Sequence, residues 1–158
     1  MEFSHLDETG RVRMVDVGDK AVTHRAAAAT GTIRMSRECL SAIEENRVAK
    51  GNVLNTAQVA GILAAKRTGE VIPLCHPLAL NVVKIDYSID TDSSLITAVC
   101  TVACDGKTGA EMEALHGVTV ALLTIYDMCK AIDKRMVIEN VHLVEKLGGK
   151  SGHFRYEV

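Results

Sequence analysis

The sequence DGKTGAEMEALHG occupies residues 105–117 and continues as VTVALLTIYDMCK to Lys130. Thr108 and Glu111 have the Thr-x-x-Glu spacing of a capping box, which predicts that a helix begins there. Apolar residues then recur at steps of three and four, so one stripe of this helix is predicted to face a core: Leu115, Val118, Leu122, Ile125, Cys129 and Ile132. A long amphipathic helix is therefore the predicted centre of the fold.

Three charged residues, Glu113, Asp127 and Lys130, lie off this stripe. At about 100° per residue, Asp127 is only about 40° round the helix from Glu113, so both point to nearly the same side. A continuous helix separates them by about 21 Å, so one small reaction centre cannot touch both from a single chain. They either serve two ends of a long ligand or meet when an antiparallel copy of the helix packs against the first. We favour the second interpretation because a two-fold contact produces it naturally.

The sequence before this helix predicts an arm, a strand and a helix. Residues 1–20 are mostly polar and are interpreted as an arm or edge strand that is either flexible or ordered only against a partner. In residues 21–35, Val, Thr, Ile and Ala alternate loosely with Arg and His, and this pattern predicts a strand. Ser36 can cap a helix running to about residue 47, with Leu40 and Ile43 facing inward.

A second helix is predicted over residues 55–68, with Gly69 as its stop. Its small residues would let a neighbouring helix approach closely: Ala57, Ala60, Gly61, Ala64 and Ala65. The loop at 72–77 contains both prolines of the chain, and two fixed φ angles predict a stiff loop that presents residues 74–76.

Alternating apolar residues predict a β-hairpin over 80–90 and 95–104. The expected inward faces are Val83, Ile85, Tyr87 and Ile89 on the first strand and Ile96, Ala98, Cys100, Val102 and Cys104 on the second. Further strands are predicted at 136–144 and 153–158. The order strand–helix–strand–strand–helix–strand, with one helix inserted, predicts an α+β ferredoxin-like split βαβ antiparallel sheet with helices on one face. We expect a single domain over residues 1–158.

The composition argues against several classes of function. A net charge of −2 disfavours a general nucleic-acid or membrane-surface binder, and two Phe, three Tyr and no Trp leave little aromatic surface for an RNA-binding sheet. No apolar run approaches the roughly 20 residues of a membrane span. Five scattered cysteines without a Cys-x-x-Cys pair indicate a reducing cytoplasm.

The loop of residues 146–152 is rich in glycine and lysine but lacks a full Walker A pattern, so it is either a phosphate-binding loop or a plain turn. Adjacent Cys75 and His76 do not complete a set of metal ligands, and no metal site is predicted. His76 is a candidate hydrogen bonder or acid/base on a rigid loop. Asp127 and Lys130 are either a surface ion pair or, in a cleft that draws the lysine pKa towards neutrality, an acid/base pair.

Several segments together resemble the cyclic pyranopterin monophosphate synthase (MoaC) family of molybdenum cofactor biosynthesis. They are MVDV (14–17), KG (50–51), AAKRT (64–68), IPLCHPL (72–78), GKTGAEMEAL (106–115), ALLTIYDMCKA (121–131) and GGKSG (148–152). The resemblance implies a lyase that rearranges 3′,8-cyclo-7,8-dihydroguanosine 5′-triphosphate, a GTP-derived nucleotide, to cyclic pyranopterin monophosphate and diphosphate. It implies no redox cofactor, although Mg²⁺ can accompany the triphosphate.

By position, the resemblance makes Asp127 the active-site acid/base, with Lys130 as its partner. It assigns substrate binding to two segments and three lysines: Leu74, Cys75, His76, Met112, Glu113, Lys50, Lys66 and Lys146. It also implies a homohexamer, a trimer of dimers, with active sites between subunits. Two residues depart from the family pattern: Asn52 stands where Asp is expected, and Leu147 where Ser is common. The first change removes a charge and the second a hydroxyl, so either is expected to alter the binding of phosphate or Mg²⁺. The alternative function is a ferredoxin-like regulatory module that binds a nucleotide without catalysis.

Overall fold

The computed structural model describes residues 9–157, and its strands form one antiparallel sheet. The strands are β1 (Thr23–Arg34), β2 (Leu80–Asp90), β3 (Leu95–Gly106), β4 (Val137–Leu147) and β5 (Phe154–Arg155). The helices are α1 (Arg37–Glu44), α2 (Val53–Lys66), α3 (Thr68–Val71) and α4 (Glu111–Cys129). The sheet order β2-β3-β1-β4-β5 confirms the predicted α+β ferredoxin-like fold, to which β5 adds an edge strand.

The alternation of side chains along β1 and β3 explains how the sheet acquires one buried face. In β3, all five residues predicted to face inward are fully buried. In β1, the alternate residues from position 25 to position 33 are buried, and they include Arg25 among alanine, glycine and isoleucine. An arginine on a core-facing position is unusual, because burying its charge costs free energy unless that charge is neutralised.

Helices α2 and α4 pack closely because glycines meet at their crossing, as the small residues of α2 predicted. A Cβ atom added to Gly61 would lie 2.8 Å from the carbonyl oxygen of Gly117, and a Cβ on Gly117 would lie 3.2 Å from that of Gly61. Neither glycine can therefore carry a side chain without separating the helices. The tight crossing fixes the position of α4 over the sheet.

The predicted start and end of α4 were wrong in two details. Ala110 is the N-cap and no side chain caps the helix, because the Glu111 carboxylate lies beside Lys146 at 3.2 Å instead of completing a capping box with Thr108. Ile132 lies beyond the end of the helix and is exposed, because its N–H bonds to the carbonyl of Cys129 in a turn. Glu113, predicted to lie off the core-facing stripe, is nevertheless buried.

The shorter helices also differ from their predicted bounds. Ser36 caps α1 as predicted, but the helix ends at Glu44. Asn52 caps α2 through a 2.9 Å bond from the Asn55 N–H, so α2 begins and ends two residues early and Gly69 lies inside α3 rather than stopping α2.

Two other predictions concern the ends of the chain. Between residues 9 and 22, the proposed arm contains no strand beyond a bridge at Val12, and residues 1–8 of that arm lie outside the described part. The last strand, predicted over 153–158, is reduced to β5. Over the described residues, no helix combines the length and the apolar character required to cross a membrane.

Candidate active site

Asp127, on the last turn of α4, is bound by two lysines. Its Oδ1 accepts a hydrogen bond from Lys130 Nζ at 2.7 Å, and its Oδ2 accepts one from Lys50 Nζ at 2.8 Å. Lys50 Nζ also donates to the main-chain oxygen of Asp127 at 2.9 Å. Lys50 lies in the loop before α2, so the packing of α2 against α4 brings it here. This direct contact could not be deduced from a separation of 77 residues.

The two lysines set the ionisation of this cluster. Hydrogen bonds from Lys130, and then from Lys50, lower the pKa of Asp127 to about 2, so it is a carboxylate throughout the physiological range. In return, the hydrogen bond from Asp127 raises the pKa of Lys130. The lowered lysine pKa that an acid/base pair in a cleft would show is therefore not found in the single chain. The reason is that the cluster is exposed and its nearest charge is opposite in sign.

Glu113, on the first turn of α4, lies in a different environment. It lines a cavity of about 440 Å³, here called the Glu113 cavity, together with Leu74, Cys75, His76 and Met112. The five residues that the resemblance assigned as two substrate-binding segments therefore lie around one space. Glu113 is 3% exposed, and burial raises its pKa to about 6. At neutral pH this carboxyl can both give and accept a proton.

His76 connects the proline-bounded loop to the segment before β1. Its Nε2 lies 2.7 Å from the carbonyl oxygen of Val15, and a carbonyl can only accept, so Nε2 carries the proton of this bond. Val15 and Val17 line the Glu113 cavity beside His76. The predicted arm thus forms one wall of the cavity within the single chain.

A second and larger cavity of about 940 Å³, here called the basic cavity, adjoins the first. Five cationic and two acidic side chains line it: Lys20, Arg25, Lys107, Lys146, Lys150, Asp16 and Asp19. Its wall also includes Gly149 and Ser151 of the glycine-rich loop. Lys20, Thr108 and Gly109 line both cavities, so the two spaces meet at the start of α4.

The residues assigned by resemblance thus fall into two groups on one chain. Lys146 and the Glu113 cavity lie near the beginning of α4, whereas Asp127, Lys130 and Lys50 lie near its end, about 21 Å away along the helix. Lys66 is exposed at the end of α2 and lines neither of the two cavities.

The two residues that depart from the family pattern, Asn52 and Leu147, lie at the start of α2 and at the end of β4. Asn52 caps α2 and donates to the Asn46 side chain at 2.9 Å, a role that an uncharged amide performs well. Leu147 is exposed at the end of β4, next to Lys146, whose side chain is partly buried.

The sequence reasoning missed Arg25 as a site residue. The signal was present, because Arg25 shares its face of β1 with Ala27, Ala29 and Ile33, which are buried. A charged residue in register with core residues indicates either an ion pair or a ligand. Across residues 9–157, no group of three or more His, Cys, Asp or Glu side chains is arranged to hold a metal ion.

Comparison with known proteins identifies the family. The sequence model of the MoaC family matches residues 14–149. Cyclic pyranopterin monophosphate synthase of Novosphingobium aromaticivorans is 56% identical over 98% of this chain and 97% of its own length. The proteins of the same name from Desulfatibacillum aliphaticivorans and Desulfitobacterium hafniense are 55% and 56% identical, over 97% and 98% of this chain and 96% and 94% of their own lengths. The chain therefore belongs to the MoaC family.

Proposed function

We propose that this protein is a cyclic pyranopterin monophosphate synthase, a lyase of molybdenum cofactor biosynthesis. Its substrate would be 3′,8-cyclo-7,8-dihydroguanosine 5′-triphosphate, and its products cyclic pyranopterin monophosphate and diphosphate. Family membership and full-length relatives of that name support the assignment. The observation that carries it in the structure is the cluster in which Lys130 and Lys50 hold the Asp127 carboxylate.

The chemistry of this cluster suits a rearrangement made of proton transfers. Asp127 is available as a base, and Lys130 as a protonated donor, 2.7 Å apart. A pKa of about 2 makes Asp127 a weak base in the single chain. Covering the cluster with substrate or a second subunit would remove water from it and raise that pKa towards the range useful for catalysis. Lys50 would then hold the carboxylate in place while Lys130 exchanges protons.

The Glu113 cavity would bind the ring system of the substrate. Leu74 and Met112 provide apolar walls, and the carboxyl of Glu113 and the imidazole of His76 provide hydrogen-bonding groups. Lys50, Lys66 and Lys146 are proposed as cations for the triphosphate. The reaction needs no redox cofactor, and we expect any Mg²⁺ to be carried by the triphosphate oxygens.

We propose that two subunits build each site, within a homohexamer arranged as a trimer of dimers. The 21 Å between Glu113 and Asp127 supports this assembly, because an antiparallel α4 of a second subunit would bring Asp127 to the Glu113 cavity. The stretch of α4 between these residues carries Leu123, which is 55% exposed, and the neighbouring helix α2 carries exposed Val59 and Leu63. Apolar residues in that position fit a subunit contact. The five free cysteines fit a protein of the reducing cytoplasm.

Mixing two inactive variants tests the shared site. Asp127→Asn and Glu113→Gln chains are coexpressed with different tags, and doubly tagged protein is purified. In a mixed dimer, one site carries both substitutions and the other carries neither, so about half of the wild-type activity should return per mixed dimer. If activity stays at the level of the two separate variants, each site is built within one chain.

The function itself is tested by incubating the protein with the cyclic dihydroguanosine triphosphate. Diphosphate and the oxidised, fluorescent pterin are both measured, for wild type and Lys130→Ala. Formation of both products by wild type, with a large loss in the variant, is the expected result. Tight binding of the nucleotide without either product would instead identify the non-catalytic regulatory module.

A further inference from the structure

We propose that Asp133 is a positioning residue of the Asp127 cluster. Its carboxylate ties the turn that follows Lys130 to the start of α1, and α1 leads to the loop that contains Lys50. One buried side chain outside the cluster therefore sets how both lysines reach the Asp127 carboxylate. The contribution of this arrangement to a reaction rests on the proposed function, whereas its effect on Asp127 can be measured without turnover.

Asp133 is a buried carboxylate that binds the main chain of two separate segments. It is 7% exposed. Its Oδ1 accepts a hydrogen bond from the Arg135 N–H at 2.8 Å, and its Oδ2 accepts one from the Ser36 N–H at 2.8 Å. The Arg135 bond, followed by the Ser36 bond, lowers the pKa of Asp133, so the side chain is an ionised acceptor. It joins segments that lie 97 residues apart in the chain.

The turn after α4 determines where the Lys130 side chain reaches, because Lys130 is the residue at which the helix ends. The N–H groups of Ile132 and Asp133 both donate to the carbonyl of Cys129, at 2.8 and 3.1 Å. These bonds hold the turn internally, whereas the Asp133 side chain holds it against α1. Losing that tie lets the turn shift, and Lys130 Nζ then leaves its 2.7 Å contact with Asp127 Oδ1.

Helix α1 carries the effect of Asp133 to Lys50. The helix follows the Ser36 cap and has 8 residues. Its length is therefore about 12 Å. At its other end, the Arg47 N–H donates to the carbonyl of Ala42 at 2.8 Å, so the loop that contains Lys50 is built on the last turn of α1. A displacement at the start of this short helix thus reaches the lysine beyond its end.

A second contact joins α1 to the end of α4. The thiols of Cys39 and Cys129 are buried and hydrogen-bond each other. A thiol is a weak donor and a weak acceptor, whereas a hydrogen bond from an N–H group to a carboxylate is charge-assisted and directional. The thiol pair therefore keeps the two helices adjacent, and Asp133 fixes their relative position.

An NMR titration of the Asp127 side-chain carboxyl carbon tests this role in the folded protein. In Asp133→Asn an amide nitrogen replaces one acceptor oxygen, so at most one of the two main-chain bonds survives. The lysines then lose contact, and the pKa of Asp127 should rise from about 2 towards its ordinary 3.8. Loss of the Asp133 charge alone would lower that pKa, because a neighbouring negative charge raises it. A rise therefore identifies a change in geometry, and an unchanged or lower pKa overturns the proposal.

Ser36→Ala is the matched control. It removes the hydroxyl that accepts from the Cys39 N–H at 3.2 Å, but it keeps the main-chain N–H that binds Asp133. This variant should lose stability at the start of α1 and still keep the pKa of Asp127 at about 2. A rise as large as that in Asp133→Asn would show that any disturbance of α1 is sufficient, and it would overturn the specific role of Asp133.

A milder variant covers the case in which Asp133→Asn does not fold. Tyr126→Phe removes the hydroxyl that donates to the carbonyl of Lys134 at 3.0 Å, which is another tie on the same turn. The pKa of Asp127 should again rise, by a smaller amount. Where this variant alone can be measured, an unchanged pKa overturns the proposal.

The synthase assay separates the positioning role from the proposed function. Asp133→Asn should lower kcat by about tenfold or more, because small displacements of reacting groups are costly in rate. A raised pKa of Asp127 in Asp133→Asn, with neither product formed by wild type, would refute the proposed function and leave the positioning role standing. Turnover by wild type, with both kcat and the Asp127 pKa unchanged in Asp133→Asn, would refute the positioning role alone.

Discussion

The two ends of α4 each carry a carboxylate, and their surroundings drive the two pKa values apart. Asp127 is half-exposed between two lysines, and its pKa falls to about 2. Glu113 is buried beside apolar walls, and its pKa rises to about 6. The two carboxyl groups of one helix therefore ionise differently: Asp127 is a permanent anion, and Glu113 titrates near neutrality. Such a separation is the usual basis of acid and base assignments in an active site.

The two ends of α4 also differ in whether a substitution there should change activity or stability. The cluster around Asp127 is exposed, so replacing its members should change chemistry while leaving the fold intact. Glu113 is enclosed by the fold, so its ionisation costs folding free energy. Substitutions at the two ends should therefore differ in which measurement they affect.

The largest expected effect is the loss of activity in Asp127→Asn. Removing the carboxylate removes the base and leaves Lys130 without its partner, so the rate should fall by about 10² or more. Product formation is measured by diphosphate release and pterin fluorescence. Asp86→Asn is the matched control, because Asp86 is also exposed and bound to a lysine, Lys84, at 2.8 Å. An active Asp127→Asn protein would show that this end of α4 is only a surface ion pair.

Glu113→Gln should stabilise the protein at high pH. The raised pKa means that the unfolded chain loses its proton before the folded one, so stability falls as pH rises from about 4.5 to about 6 and remains lower above it. At pH 8 the variant should exceed wild type by up to about 2 kcal/mol in unfolding free energy, and at pH 4 the difference should vanish.

Chemical denaturation at the two pH values measures this difference. Glu44→Gln provides the comparison, because Glu44 is exposed at the end of α1. A Glu113→Gln protein that is equally stabilised at pH 4 and pH 8 would show that ionisation is not the cause.

A smaller effect should distinguish the two lysines of the Asp127 cluster. Both Lys130→Ala and Lys50→Ala should raise the pKa of Asp127, and Lys130→Ala should raise it more, because its hydrogen bond is the larger cause of the depression. The pKa of Asp127 in each variant is measured by an NMR titration that follows the labelled carboxyl carbon of its side chain. The reverse order would make Lys50 the main partner of the carboxylate.

Most of the strands and the central helix could be predicted because local periodicity indicates which residues face the core, although Ile89, predicted to face inward on β2, is exposed near the end of that strand. The alternation of β3 from Ile96 to Cys104 and the small residues of α2 led to correct packing. The sequence could not predict contacts made by long side chains across the fold. Lys50 reaches Asp127, and Glu111 turns to Lys146 instead of capping its own helix. A pattern such as Thr-x-x-Glu predicts which hydrogen bonds are possible. A competing charge nearby, here that of Lys146, decides which of them forms.

The smallest expected effect follows from that competition at the start of α4. Thr108→Ala should cost less than about 0.5 kcal/mol, because no side chain caps the helix there. Ser36→Ala should cost about 1 kcal/mol, since Ser36 Oγ accepts from the Cys39 N–H at 3.2 Å. Thermal unfolding of both variants makes the comparison directly. If Thr108→Ala costs as much as Ser36→Ala, the capping box predicted from the sequence forms in solution. Glu111 then bonds to its own helix instead of pairing with Lys146.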